Sequence, residues 1–139
     1  VALGRPALGY GKRVLTLEEK QAAAACGQIT LFSMWDKAFS AFQLKPAQIL
    51  LTADDSIHRR RYLNAKNTLD TLLESKLVIP VINENDTVAT AELRFGDNDR
   101  LAARVAQMAE ADLLIIFSDI DGLYSENPAQ NPNARFIDE

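Results

Sequence analysis

Two neighbouring polar clusters hold the side chains of this sequence that are best suited to chemistry. The first, Asn-Glu-Asn-Asp at residues 83–86, directly follows the apolar run at residues 77–82, and the second is Gly-Asp-Asn-Asp at residues 96–99. An apolar run that ends in Asn and Asp is typical of a buried parallel strand whose carboxyl end opens onto a ligand crevice. Two such clusters so close in sequence predict a binding site.

The composition limits the classes of function. Fifteen Lys and Arg against 19 Asp and Glu leave a net charge of −4, so the basic surface of a nucleic-acid-binding protein is not expected. No apolar run reaches the roughly 20 residues of a membrane span. With 47% apolar residues the chain has the composition of one globular domain. We expect it to be cytoplasmic and to bind neither nucleic acid nor membrane.

Helical and strand patterns place the polar clusters in an α/β fold. Thr16 followed by Glu19 is a capping box that predicts a helix over residues 17–42, whose small residues 22–25 would allow close approach by a neighbour. Apolar runs centred about thirty residues apart predict three strands of a parallel sheet with helical crossovers. Pro80 predicts a bulge or a sheet edge. The predicted strands are residues 47–51, 77–82 and 113–117, and the further helices are residues 61–75 and 98–109.

Polar residues follow all three predicted strands. Loops are polar in most proteins, but the carboxyl ends of parallel strands lie at one edge of a sheet, where ligands bind in open α/β folds. Three clusters at one edge therefore favour a shared site. The clusters are Thr52, Asp54 and Asp55 after the first strand, residues 83–86 after the second, and Ser118, Asp119 and Asp121 after the third.

The start of the helix predicted at residues 98–109 is suited to an anion such as phosphate. One Asp or Asn there is explained as a helix cap, and the free backbone N–H groups and the helix dipole would attract negative charge. The carboxylates beside it would repel phosphate unless Lys side chains or Mg²⁺ intervene. No Gly-Lys-Ser/Thr phosphate loop occurs, and His58 is the single histidine, which argues against a Ser-His triad or a His-rich metal site.

Several segments resemble, in the same order, those of the amino acid kinase family. Within that family, the pair of Asn-Glu-Asn-Asp and Gly-Asp-Asn-Asp is specific to the enzymes that phosphorylate glutamate. The resemblance extends from Val1 to the end of the chain. The segments that carry it are residues 20–25, 27–28, 48–52, 61–65, 80–90, 96–99 and 118–124.

The resemblance implies a three-layer αβα sandwich with a mainly parallel central sheet. The implied reaction is phosphorylation of the γ-carboxylate of L-glutamate by ATP with Mg²⁺, the first step of proline biosynthesis, in a homo-oligomer that proline inhibits by feedback. By matching position, Asp99 is the implied catalytic residue, which would orient phosphate-binding lysines. The implied glutamate-binding residues are Asn83, Asp86, Asp97 and Asn98, and the implied nucleotide-binding pair is Ser118 and Asp119, with Ser in place of the more usual Thr.

The resemblance also leads us to expect that residues 1–139 are the central portion of a longer kinase domain. The family's Lys-Gly and Ser-Gly-Ala phosphate loops would precede Val1, and a second catalytic lysine would follow Glu139. We therefore expect this polypeptide alone not to transfer phosphate. Two alternatives stay open: another enzyme of the family, such as an aspartate, acetylglutamate or uridylate kinase, and a noncatalytic α/β module that binds glutamate or proline.

Overall fold

The structure is a computed structural model of the 139-residue chain, and it describes residues 1–90, 98–117, 120 and 122–138. None of the described helices combines the length and the apolar composition that a membrane span needs. Two short 3-10 helices, Ala2–Gly4 and Pro6–Leu8, come first. They are followed by α1 (Leu17–Ser40), β1 (Lys45–Leu51), α2 (Ala53–Ile57), α3 (Arg59–Glu74), β2 (Val78–Glu84) and α4 (Asn98–Met108).

Helix α1 begins at the predicted capping box. The hydroxyl of Thr16 accepts a hydrogen bond from the backbone N–H of Glu19 at 3.3 Å, and the Glu19 carboxylate accepts one from the backbone N–H of Thr16 at 3.0 Å. The Arg13 guanidinium donates to both oxygens of that carboxylate, at 2.8 and 2.5 Å. This pairing with Arg13, helped by the N–H of Thr16, lowers the pKa of Glu19 to about 2. The helix ends at Ser40, two residues before the predicted end.

Strands β1 and β2 pair in parallel, as the spacing of the apolar runs predicts. The register runs from Lys45 opposite Val78 to Leu51 opposite Glu84 with no skipped residue, so Pro80 causes no bulge. Among the described residues β2 pairs with β1 alone. Within the part of the chain that the structure describes, Pro80 therefore lies on an edge strand, which is the other arrangement that the sequence allowed and one where proline is tolerated.

The prediction of a third strand at residues 113–117 is wrong. This segment forms no strand, all five side chains are exposed, and Phe117 is 94% exposed. An apolar run marks a segment for burial, but a strand also needs a neighbouring strand with free backbone groups at the right distance. Instead, a cavity of about 410 Å³, lined by Ile82 of β2, Val105 of α4 and Leu113 among others, lies between this segment and the sheet.

The core lies between the end of the sheet and α4. Leu51 and Leu101 are buried there, and Ile49, Ala65 and Ile82 pack against them. Helix α1 contacts β1, whereas α3 and α4 contact β2. The architecture is therefore α/β, a parallel sheet flanked by helices, as expected of part of an αβα sandwich.

Candidate active site

The turn after β2 holds the first polar cluster in a defined shape. The backbone N–H of Asn85 donates to the carbonyl of Leu51 at 2.7 Å, which extends the parallel ladder one residue beyond β2. The side-chain oxygen of Asn85 accepts from the Thr87 hydroxyl at 2.5 Å, and its carbonyl accepts from the N–H of Ala89 at 3.1 Å. Asn85 therefore has a structural role, and it fixes the backbone that carries Asp86.

Asn83 and Asp86 line one cavity of about 220 Å³. Pockets for drug-sized ligands occupy about 300–1,000 Å³, so this smaller volume suits a molecule such as an amino acid. A carboxylate and side-chain amides can bind an ammonium and a carboxylate, respectively. The other walls are Val1, Ala2 and Leu3 at the N-terminus and Ala24, Gly27, Gln28 and Leu31 of α1.

A close backbone contact between the first 3-10 helix and α1 fixes the position of the N-terminal residues that line this cavity. Gly4 is buried, and a Cβ atom on it would lie 1.8 Å from the carbonyl oxygen of Ala23 and 2.7 Å from the backbone nitrogen of Gly27. A Cβ on Gly27 would lie 3.0 Å from the backbone nitrogen of Gly4. The predicted close approach to the small residues of α1 is confirmed, and the neighbour is the first 3-10 helix.

Gln28 lines the same cavity but was not among the predicted site residues. The side-chain amide of Gln48 in β1 donates to the Gln28 side-chain oxygen at 3.0 Å, so the Gln28 amide is held between α1 and β1. Its position could have been found from helical spacing, because Gln28 lies four residues after Ala24 and therefore on the same face of α1.

Asp99, the predicted catalytic residue, lies in the first turn of α4 and lines a second cavity of about 720 Å³. This volume falls in the range of cofactor and drug-sized sites. The predicted nucleotide-binding pair, Ser118 and Asp119, lies outside the described residues, but Ile116 and Ile120 on either side of it both line this cavity. Further lining residues are Gly122, Leu123, Tyr124, Glu126, Asn127 and Pro128.

The structure describes one of the remaining two predicted glutamate-binding residues, and that residue does not line the cavity of Asn83 and Asp86. Asn98 lines the apolar cavity of about 410 Å³ beside Ile82, and Asp97 lies outside the described residues. The structure thus brings Asn83 and Asp86 together and places Asn98 and Asp99 on two other cavities.

The polar residues after β1 serve local structure. The Asp55 carboxylate accepts hydrogen bonds from the backbone N–H and the hydroxyl of Thr52, both at 2.7 Å, at the start of α2. The Arg61 guanidinium in α3 lies 3.5 Å from the Asp54 carboxylate and 3.9 Å from that of Asp55. His58 is 62% exposed and lies 4.0 Å from Asp54. Helix capping and the joining of α2 to α3 therefore account for this cluster.

The larger cavity has a donor set that fits the Mg²⁺ of a nucleotide complex. Mg²⁺ at such sites is held by one or two protein carboxylates together with phosphates and water. Asp99 and Glu126 both line the larger cavity and are its two carboxylates among the described residues. No group of three or more His, Cys, Asp or Glu residues in the described ranges could hold a metal ion by itself.

Comparison with known proteins identifies the family. Glutamate 5-kinase 1 of Mesorhizobium japonicum is 64% identical over 137 residues, which cover 99% of this chain and 36% of that protein. Glutamate 5-kinase of Paramagnetospirillum magneticum is 64% identical over 139 residues, which cover 100% of this chain and 37% of that protein. Glutamate 5-kinase of Caulobacter vibrioides is 60% identical over 137 residues, which cover 99% of this chain and 36% of that protein. The chain thus spans little more than a third of the length of these relatives.

The sequence model that describes the amino acid kinase family matches residues 5–139 of this chain. This range includes both strands of the parallel sheet, all four α-helices of the described residues and the predicted site residues. The chain therefore belongs to the amino acid kinase family.

Proposed function

We propose that the full-length protein phosphorylates the γ-carboxylate of L-glutamate with ATP and forms L-glutamyl 5-phosphate. The observation that carries this proposal is the 58–64% identity, over 99–100% of the chain, to relatives named glutamate 5-kinase. Because the chain covers 36–37% of those relatives, the activity is proposed for the longer protein.

The smaller cavity is the proposed glutamate site. The Asp86 carboxylate would pair with the α-ammonium group of the substrate, which selects an α-amino acid over a simple dicarboxylate. The side-chain amide of Asn83 would donate to a substrate carboxylate. By their positions in the family motif, Asp97 and Asn98 are proposed as further glutamate-binding residues, although Asn98 lines the apolar cavity beside Ile82 in this structure.

The reaction requires positioning and charge neutralisation more than acid–base chemistry. The γ-carboxylate of glutamate has a pKa of about 4.3, so at neutral pH it is already an ionised nucleophile and needs no general base. The catalyst must place it in line with the γ-phosphate and balance the charge on the transferred group. Bound with ATP, Mg²⁺ would neutralise part of the phosphate charge. Asp99 and Glu126 would hold it in the larger cavity, and Asp99 would also orient phosphate-binding lysines.

The test is a substrate comparison on the full-length protein. ADP release is measured with glutamate, aspartate, acetylglutamate and UMP as acceptors, and glutamyl phosphate is trapped as its hydroxamate. We expect turnover with glutamate and, in the Asp99→Asn variant, activity lower by about 100-fold or more, because misplacing the Mg²⁺ and the phosphate-binding lysines by about 1 Å is enough for such a loss. The fold of the variant is checked by circular dichroism. A higher kcat/KM for another acceptor would contradict the proposal in favour of a different enzyme of the family.

Two further properties stay predictions. Inhibition by proline is tested by adding proline to the same assay, and homo-oligomer formation is tested by light scattering of the full-length protein. Calorimetric binding of glutamate or proline without any ADP release would instead indicate a noncatalytic binding module.

A further inference from the structure

Lys66 of α3 binds the C-terminal end of α4. Its ammonium group donates to the carbonyl of Met108 at 3.2 Å, and it lies 3.1 Å from the Glu110 carboxylate and 3.3 Å from that of Asp70. An ammonium group has three donors, so these three oxygens match its full capacity. The Lys66 side chain is 24% exposed, far less than the Lys45 side chain, which is 70% exposed in its ion pair with Asp36.

The turn that Lys66 binds has an unusual residue at its centre. Glu110 has a φ of +52°, in the left-handed region. Its N–H donates to the carbonyl of Gln107 at 3.3 Å, and the N–H of Ala111 donates to that of Ala106 at 2.9 Å. These bonds form a Schellman motif, in which glycine is the usual left-handed residue because it lacks a Cβ. The side chain of Glu110 adds strain to the turn but also adds a carboxylate for Lys66.

The position of α4 matters because its first turn carries two predicted site residues, Asn98 and Asp99. Leu101 and Met108 anchor the helix through apolar packing, which is non-directional and therefore permits small tilts. Eleven residues of α-helix span about 16 Å, so a tilt of about 4° moves the far end by about 1 Å. Misplacement of a catalytic group by about 1 Å can lower a rate by about 10²-fold.

We propose that Lys66 is a positioning residue, which sets the orientation of α4 and thereby the places of Asn98 and Asp99. This inference rests on the proposed glutamate kinase function. Lys66 does not contact the reacting groups. It holds one end of a helix whose other end carries them.

The test compares four variants of the full-length protein by steady-state kinetics and thermal unfolding. Lys66→Met removes the ammonium group, and Lys66→Arg retains a cation. Glu110→Gly removes one ion pair while favouring the left-handed backbone, so it separates positioning from stability. Lys45→Met removes the exposed lysine of the Lys45–Asp36 pair as a matched control.

We expect Lys66→Met and Glu110→Gly to lower kcat about tenfold and to raise the KM for glutamate about threefold or more, since a displacement well under 1 Å is enough for such changes. The KM for ATP should rise as well, because Asp99, which would hold the Mg²⁺ of the nucleotide, lies in the first turn of α4. A smaller amount of folded enzyme would lower the apparent kcat and leave both KM values unchanged, so the change in the KM for glutamate reports positioning. Lys66→Arg should recover at least half of the wild-type kcat.

The result that overturns the inference is an active wild type whose Glu110→Gly and Lys66→Met variants keep kcat and both KM values within twofold, as Lys45→Met should. If the Lys66→Met variant does not fold, the kcat and KM values of the Glu110→Gly variant decide the test alone. A wild type that forms no glutamyl phosphate overturns the proposed function and this inference with it.

Discussion

Replacing Gly4 with alanine should push the first 3-10 helix away from α1. The Cβ atom added at position 4 would lie 1.8 Å from the carbonyl oxygen of Ala23, whereas ordinary contacts of a Cβ atom begin at 3.4 Å. The contact must therefore open by roughly 1.6 Å, an overpacking change of the kind that costs about 1–3 kcal/mol. The Ala23 carbonyl belongs to the interior of α1 and cannot retreat without loosening the helical hydrogen bonds.

The effect of the substitution on the unfolded chain opposes this overpacking cost and is smaller. Alanine restricts the unfolded chain more than glycine does, which favours folding by about 0.4–1 kcal/mol where the backbone tolerates it. The net loss in the free energy of unfolding should thus be about 1–2 kcal/mol. The same movement displaces Val1, Ala2 and Leu3, which line the cavity of Asn83 and Asp86. The KM for glutamate should therefore rise together with the loss of stability.

Urea denaturation and steady-state kinetics of the full-length protein measure both effects. Gly11→Ala is the matched control, because no atom lies within 4 Å of the Cβ position at Gly11 and its φ is not in the left-handed region. Gly11→Ala should change the free energy of unfolding by no more than the entropic term of about 0.4–1 kcal/mol, and it should leave the KM for glutamate unchanged. Gly27→Ala, with its nearest contact at 3.0 Å, should have an intermediate effect. Equal unfolding free energies for Gly4→Ala and Gly11→Ala, with equal KM values, would refute the reasoning.

Three further changes test the site and the packing. Asp86→Asn should raise the KM for glutamate about tenfold or more, because a charged hydrogen bond contributes about 1.5–3 kcal/mol, and an unchanged KM would remove Asp86 from the site. Leu101→Ala should lower the free energy of unfolding in urea by about 2–5 kcal/mol, since Leu101 is 3% exposed, and a loss below about 1 kcal/mol would contradict its place in the core. Pairing with Arg13 lowers the pKa of Glu19 from 4.5 to about 2, so the stability that Glu19 contributes should be present above pH 4.5 and be lost as the pH falls towards 2. The difference in unfolding free energy between wild type and Glu19→Gln, followed over this pH range, checks the sign, and a difference that grows on acidification would disprove it.

Elements with strong local signals were predictable from the sequence. The capping box of Thr16 and Glu19 starts α1 as predicted, and α4 matches its prediction to within one residue at its end. Strands β1 and β2 are each two residues longer at one end than predicted, and β2 begins one residue later. Caps and apolar runs act over a few residues, so they can be recognised without knowledge of the fold.

Contacts between distant segments were not predictable in the same way. Residues 113–117 are more apolar than β1 but form no strand, because pairing depends on a neighbour that the segment itself cannot specify. The small residues of α1 predicted a close neighbour, but only the fold shows that it is Gly4.

The sequence by itself determined the α/β class, the approximate extent of most elements and the family to which the chain belongs. Tertiary structure decided which polar side chains share a cavity. It placed Asn83 and Asp86 on one cavity, and it placed the adjacent Asn98 and Asp99 on two different cavities. The physical reason is that successive helical residues point about 100° apart, so neighbours in sequence face different surroundings, and packing between distant segments sets what those surroundings are.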